Sequence, residues 1–144
     1  MESVLVIGGC GALGHRLVSE LLQLDSPPHH VYVFDVRTEN NRIDTVEYCN
    51  VDITSKDQVK TTLKKLSPLP EVIIHTASPP PGLLDLELYI KVNVEGTRNL
   101  LECAEVCTKF CRTRRVGCPM TNTILASHIS KCLIPSGKAV TREC

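Results

Sequence analysis

Val4-Leu5-Val6-Ile7-Gly8-Gly9-Cys10-Gly11-Ala12-Leu13-Gly14 is an apolar run that stops at spaced glycines and passes directly into a helical pattern. It reads as a first strand, a phosphate turn and the start of a helix. Glycine serves separable purposes here: Gly8 or Gly9 for a tight turn, Gly11 so that backbone can approach a pyrophosphate, and Gly14 so that the helix can lie close on the strand. The free N–H groups and the positive dipole end of the helix then face the anion, and no Lys is required. The expected ligand contacts run through Gly8, Gly9, Cys10, Gly11, Ala12, Leu13 and Gly14.

A glycine motif standing alone is weak evidence, so its context carries the reading. A second apolar strand, Val31-Tyr32-Val33-Phe34-Asp35, ends in an acid 21 positions after Gly14. That spacing suits a carboxylate accepting hydrogen bonds from the adenosine ribose, with Val36 and Arg37 next along the same wall. An acid at the strand end repels a 2′-phosphate, which favours NAD over NADP, although Arg37 counters it.

Leu13, Leu17, Leu21, Leu22 and Leu24 recur near helical spacing and predict a helix from about Ala12 to Leu24, ended by Asp25-Ser26-Pro27-Pro28. Val46-Glu47-Tyr48-Cys49 predicts a third strand, closing near Asp52. A helix starting at Ser55 carries Val59, Leu63 and Leu66; a fourth strand, Glu71 to His75, has the continuous apolar character of one buried on both faces. A long helix is expected from about Leu86 to Val106. The alternation predicts an α/β fold: a Rossmann-type doubly wound parallel sheet, incomplete at about four strands, with its ligand across the carboxyl ends of the strands.

The net charge of zero conceals an asymmetry. Residues 1 to 107 carry 9 basic and 15 acidic side chains; residues 108 to 144 carry 7 basic ones and Glu143. Six of the eight cysteines, from Cys103 to Cys144, crowd the same end. The shift divides the chain into a partial dinucleotide-binding domain, 1–107, and an irregular Cys- and Arg-rich tail, 108–144. No apolar stretch has the length of a membrane span, and Met-Glu-Ser-Val carries no basic signal region, so a cytoplasmic location is expected.

Four stretches resemble the extended short-chain dehydrogenase/reductases of the 3β-hydroxysteroid dehydrogenase type. Gly8 to Gly14 is similar to that family's G-x-x-G-x-x-G turn; Val51-Asp52-Ile53 resembles its acidic-apolar pair, which meets adenine; His75-Thr76-Ala77-Ser78 resembles the segment beside the nicotinamide ribose. Val92-Asn93-Val94-Glu95-Gly96-Thr97-Arg98-Asn99-Leu100-Leu101 is similar to the family helix whose first Asn, here Asn93, helps fix the active-site backbone. Ser78-Pro79-Pro80-Pro81 and the leading Val-Leu-Val-Ile-Gly-Gly further resemble fungal sterol-4α-carboxylate 3-dehydrogenases, decarboxylating enzymes of sterol synthesis. The resemblance implies an NAD-dependent oxidoreductase on a sterol CH–OH group, with a sterol-like substrate and a location peripheral to the endoplasmic reticulum membrane. It covers residues 3 to about 107.

The family's chemistry uses a Tyr general acid/base and a Lys four residues later. Four places after Tyr32, Tyr48 and Tyr89 stand Val36, Asp52 and Asn93, so no catalytic residue is assigned and the chain alone is expected to be inactive. The change after Val106 reads as an out-of-frame or mis-spliced end. Two other readings stand beside the enzyme lineage: a non-catalytic NAD(P) sensor, and a truncated product that does not fold stably. Cys103, Cys107 and Cys111 match the C-x₂₋₄-C pairs of structural zinc sites only loosely, and Arg112, Arg114 and Arg115 lack aromatic neighbours, so neither a metal nor a nucleic acid is expected.

Overall fold

The structure, a computed structural model, describes residues 2–80 and 85–107, with side chains through residue 104. Four parallel strands form one sheet: β1 (Ser3–Ile7), β2 (His30–Asp35), β3 (Glu47–Asn50) and β4 (Val72–His75), in the order β3-β2-β1-β4. The helical elements are α1 (Ala12–Leu22), α2 (Lys56–Leu63), α3 (Leu86–Ile90), a π-helical segment (Lys91–Gly96) and α4 (Thr97–Cys107).

Every residue of β1 is buried, because side chains alternate between faces and both faces are covered. Val4 and Val6, with Val31 and Val33 of β2, pack against Val18 and the half-buried Leu17, Leu21 and Leu22 of α1. Leu5 and Ile7, with Tyr32 and Phe34, pack instead against Val59 and Leu63 of α2 and Leu100 and Cys103 of α4. The register aligns Val4 with both Val31 and Val72, and Ile7 with both Phe34 and His75. The chain runs from β1 outward through β2 to β3 on one side and then crosses back to β4 on the other side of β1, and this reversal opens a crevice beyond the carboxyl ends of the strands.

The doubly wound four-strand reading holds, and the departures from it are local. The first helix stops at Leu22, where the Gln23 N–H turns back to the Glu20 carbonyl, and Leu24 is exposed. Leu13 belongs to α1 but not to its buried face: the first turn of the helix starts beyond the end of β1, and the side chain is 69% exposed. Leu66 is buried although it lies past the end of α2. The expectation that β4 is enclosed on both faces is corrected. Val72, Ile73 and Ile74 are only half-buried, since among the described residues β4 pairs with β1 alone. The long helix from Leu86 is interrupted by six π-helical residues. The tail from 108 to 144 lies outside the described residues.

Two leucines separate the core from the periodic pattern. Leu63 is fully buried, so Leu63→Ala is expected to cost about 2–5 kcal/mol. Leu13→Ala is expected to stay within about 0.5 kcal/mol. Urea unfolding of the two variants beside the parent chain checks both.

Candidate dinucleotide cleft

The glycine turn is shaped by what its β-carbons would strike. After β1 the Gly8 N–H still donates to the Phe34 carbonyl at 2.8 Å, and Gly8 then takes φ +81°, where L side chains are strained. A β-carbon on Gly8 would also lie 2.6 Å from the Ala77 nitrogen. On Gly14 it would lie 2.1 Å from the Gly8 carbonyl oxygen, so this glycine lets the helix close on the turn itself rather than on the strand. Gly11 differs: a β-carbon there would meet only the Gly8 oxygen, at 3.3 Å, and otherwise open space. Gly11 is also the N-cap of α1 and has no side chain to satisfy the first N–H groups, which have no carbonyl inside the helix. The turn therefore presents unpaired donors to a space kept clear of side chains. That is the chemistry an oligophosphate needs.

The end of β2 is tied to this turn. Asp35 Oδ2 accepts the Cys10 N–H at 3.0 Å, and Oδ1 accepts the Arg37 N–H at 3.1 Å. Each carboxylate oxygen keeps acceptor capacity for a ligand hydroxyl. Burial, with the Asp35 charge second, pushes the Cys10 thiol up to about 11, so it stays protonated and is no nucleophile at neutral pH.

The far wall comes from the segments after β3 and β4. Asp52 Oδ1 accepts the Thr54 N–H at 2.9 Å, while its own N–H donates to Gln58 Oε1. Asn99 of α4 donates its amide to the carbonyls of Ile53 and Thr54, fixing this loop from below. Gly96 admits Ile53 closely; a β-carbon there would lie 2.8 Å from its Cδ1. Thr76 sends both its N–H and its hydroxyl to the Ile7 carbonyl, each at 2.8 Å. The Tyr89 hydroxyl donates to the Pro80 carbonyl.

These walls enclose a cleft of about 700 Å³. Of the residues expected from the sequence, Gly8, Cys10, Gly11, Asp35, Val36, Arg37, Asp52, Ile53, Thr76, Ala77 and Ser78 line it. Gly9, Ala12, Leu13, Gly14, His75 and Asn93 are not among its lining. A β-carbon on Gly9 would strike Val33, on the side of the sheet covered by α1. His75, with its side chain turned inward, is 8% exposed, and its Nε2 lies 3.2 Å from the Thr97 hydroxyl. That hydroxyl donates to the Asn93 carbonyl. His75 Nδ1 and Asn93 Oδ1 are both buried without a partner among the described residues, and Asn93 lies within the π-helical segment. Sequence reasoning missed Ile7, Phe34, Asn40, Asn41, Val51, Pro79, Pro80, Leu88 and Val92 as cleft residues. The paired asparagines after β2 were the signal within reach, since Asn tolerates tight loop conformations.

The sequence profile of the 3-beta hydroxysteroid dehydrogenase/isomerase family matches residues 5–110. The chain is similar to the decarboxylating sterol-4-alpha-carboxylate 3-dehydrogenases of Bos taurus, at 39% identity over 69% of this chain and 26% of the relative. It is similar to that of Candida albicans at 35% identity, over 73% of this chain and 31% of the relative. The chain thus spans between a quarter and a third of the length of these curated relatives. Among solved structures it resembles the UDP-glucose 4-epimerase of Thermus thermophilus in complex with NAD. The TM-score is 0.62 at 28% identity, over 73% of this chain and 34% of that one.

Burial holds the His75 imidazole below its ordinary value of 6.5. The unfolded chain therefore takes up a proton that the folded chain refuses, and stability is lost as pH falls below about 6.5. Thermal unfolding from about pH 7.5 to 5.5 is expected to show this loss. In His75→Asn the fall over the same range is expected to be smaller.

Proposed function

The chain belongs to the 3-beta hydroxysteroid dehydrogenase/isomerase family, and from that premise we propose that its described residues are the dinucleotide-holding portion of an NAD-dependent sterol dehydrogenase. One observation carries the proposal: the open space over Gly11 lies beside the Asp35 carboxylate, in a single cleft at the carboxyl edge of a parallel sheet. In this reading the N–H groups that open α1, Ala12 and Leu13 among them, take the pyrophosphate. Their backbone serves even though their side chains stand outside the cleft. Asp35 takes the adenosine ribose, with Val36 and Arg37 alongside, and Asp52 and Ile53 flank the adenine. Thr76, Ala77 and Ser78 face the nicotinamide end. Gly9, Gly14, His75 and Asn93 act from behind these contacts, by letting backbones approach and by fixing the segment after β4.

The bound nicotinamide supplies a hydride acceptor for the carbinol carbon of a 3-hydroxysterol. The chain's own part is to bind, orient and exclude water. The names of the relatives favour a 4-carboxylated sterol, in which the new 3-ketone draws in the electron pair of the bond to the departing carboxyl group. Deprotonating the hydroxyl requires a group outside the residues assigned here, since no Tyr in the sequence is followed four places later by Lys. A longer reading frame carrying Tyr-x-x-x-Lys separates this reading from a dinucleotide-binding module without turnover. NAD is preferred over NADP because both Asp35 oxygens point into backbone N–H groups of the cleft rim, where a 2′-phosphate would meet their charge. Among the described residues no helix is long and apolar enough to cross a membrane. A sterol-like substrate favours a proposed location at the surface of the endoplasmic reticulum membrane.

Calorimetric titration with NAD and NADP tests the reading, with Gly11→Asp as control. Saturable NAD binding is expected, with NADP at least tenfold weaker. The Gly11→Asp chain is expected to unfold cooperatively yet bind neither, since the new carboxylate projects into the phosphate space. A cooperatively folded parent chain that ignores NAD would overturn the proposal.

A further inference from the structure

The loop between β2 and β3 borders the cleft, and although its far end is anchored by the buried Val46 and the half-buried Ile43, the stretch next to the cleft has little apolar burial, with Val36 56% exposed. Polar contacts converging on one residue hold it instead. Asn41 sits at φ +52°, the left-handed region that Asn tolerates better than most side chains. In that conformation its amide donates to the Cys10 carbonyl at 2.8 Å. Its own carbonyl lies 3.0 Å from His15 Nδ1 and accepts the Tyr48 hydroxyl at 3.3 Å. A carbonyl only accepts, so the His15 proton resides on Nδ1. The Tyr48 oxygen in turn accepts the Ile43 N–H. Arg42 lies over the Tyr48 ring and donates to the Thr38 carbonyl, which closes the loop on itself.

The Cys10 peptide is the point where these contacts meet the ligand wall. Its N–H is held by Asp35 at the end of β2 and its carbonyl by Asn41 in the middle of the connection to β3. We infer that Asn41 is a positioning residue for the adenosine half of the dinucleotide. By clamping the loop onto the glycine turn it keeps the Cys10 N–H on Asp35 and the ribose wall formed before ligand arrives. This inference rests on the proposed dinucleotide site and adds a residue that touches no reacting atom. Preformation acts on affinity because a free loop would have to be ordered by each binding event.

Two substitutions separate the donated hydrogen bond from the backbone conformation. Asn41→Gly keeps the positive φ and loses the amide; Asn41→Asp keeps the size and cannot donate. Titration with ADP-ribose, which keeps the adenosine and the pyrophosphate and lacks only the nicotinamide ring, is expected to show about fivefold weaker binding for Asn41→Gly and a larger loss for Asn41→Asp. Thermal midpoints are expected to fall by only about 2–6 °C, with unfolding still cooperative and both variants fully folded at the titration temperature. Hydrogen exchange without ligand is expected to quicken at the amides of residues 9–12 in both variants. Parent-like affinity in both variants would overturn the inference, as would a fall in midpoint large enough to account for the lost affinity. If the parent chain binds neither NAD nor ADP-ribose, the dinucleotide reading fails by itself. Exchange at 9–12 then judges the clamp, and rates unchanged by the substitutions remove it.

Discussion

The architecture depends on a close approach of three backbone segments at one point. The end of β1, the first turn of α1 and the segment after β4 meet at Gly8, where a β-carbon would lie 2.6 Å from one of them, and at Gly14, where it would lie 2.1 Å from another. Backbone cannot yield to such overlap as a flexible side chain can. The glycines thus set how near α1 sits to the sheet, and with it where its N–H groups point. The cleft is a consequence of that approach. A bulkier turn would separate β1 from Ala77 and remove the space over Gly11.

The two faces of the sheet contribute differently to the cleft. Val18 and the leucines of α1 pack on Val4, Val6, Val31 and Val33, which supports the glycine turn. On the other face, α2 and α4 press on Phe34, Val51 and Ile53, and Asn99 reaches across to hold the loop that carries Asp52. The adenosine end is therefore braced from both faces. Toward the other end, β4 has one strand neighbour among the described residues, and Val72, Ile73 and Ile74 remain half-buried.

Period and spacing revealed the frame because they follow from chain geometry alone. A strand closed by glycines and a second strand ending at Asp35 left little freedom in how the first two-thirds of the chain could pack. Contacts that depend on tertiary placement were less accessible. Leu13 fits the helical repeat as well as Leu17 does, yet only the structure shows that its side chain faces solvent. His75 belongs to a recognisable segment, but the inward turn of its ring onto Thr97 follows from how α4 crosses β4. Asn41 lies in a polar stretch without periodicity, and its role depends on a carbonyl 31 positions earlier in the chain.

The π-helical segment has a consequence for how this chain can vary. A wider turn advances less per residue than an α-turn, so it offsets the angular phase of everything downstream. Leu86, Ile90 and Val94 are exposed, whereas Gly96, Leu100 and Cys103 face the sheet. Removing one residue from 91–96 and relaxing the segment to an α-helix would leave Leu100 and Cys103 on the same face, because six residues in wide turns rotate the chain about as far as five in α-turns. The segment works as a spacer between two helical surfaces. The wide turns absorb one extra position, so descendants of this sequence can lose that single position there and keep the same face on the sheet, whereas a larger change in length would turn Leu100 and Cys103 away.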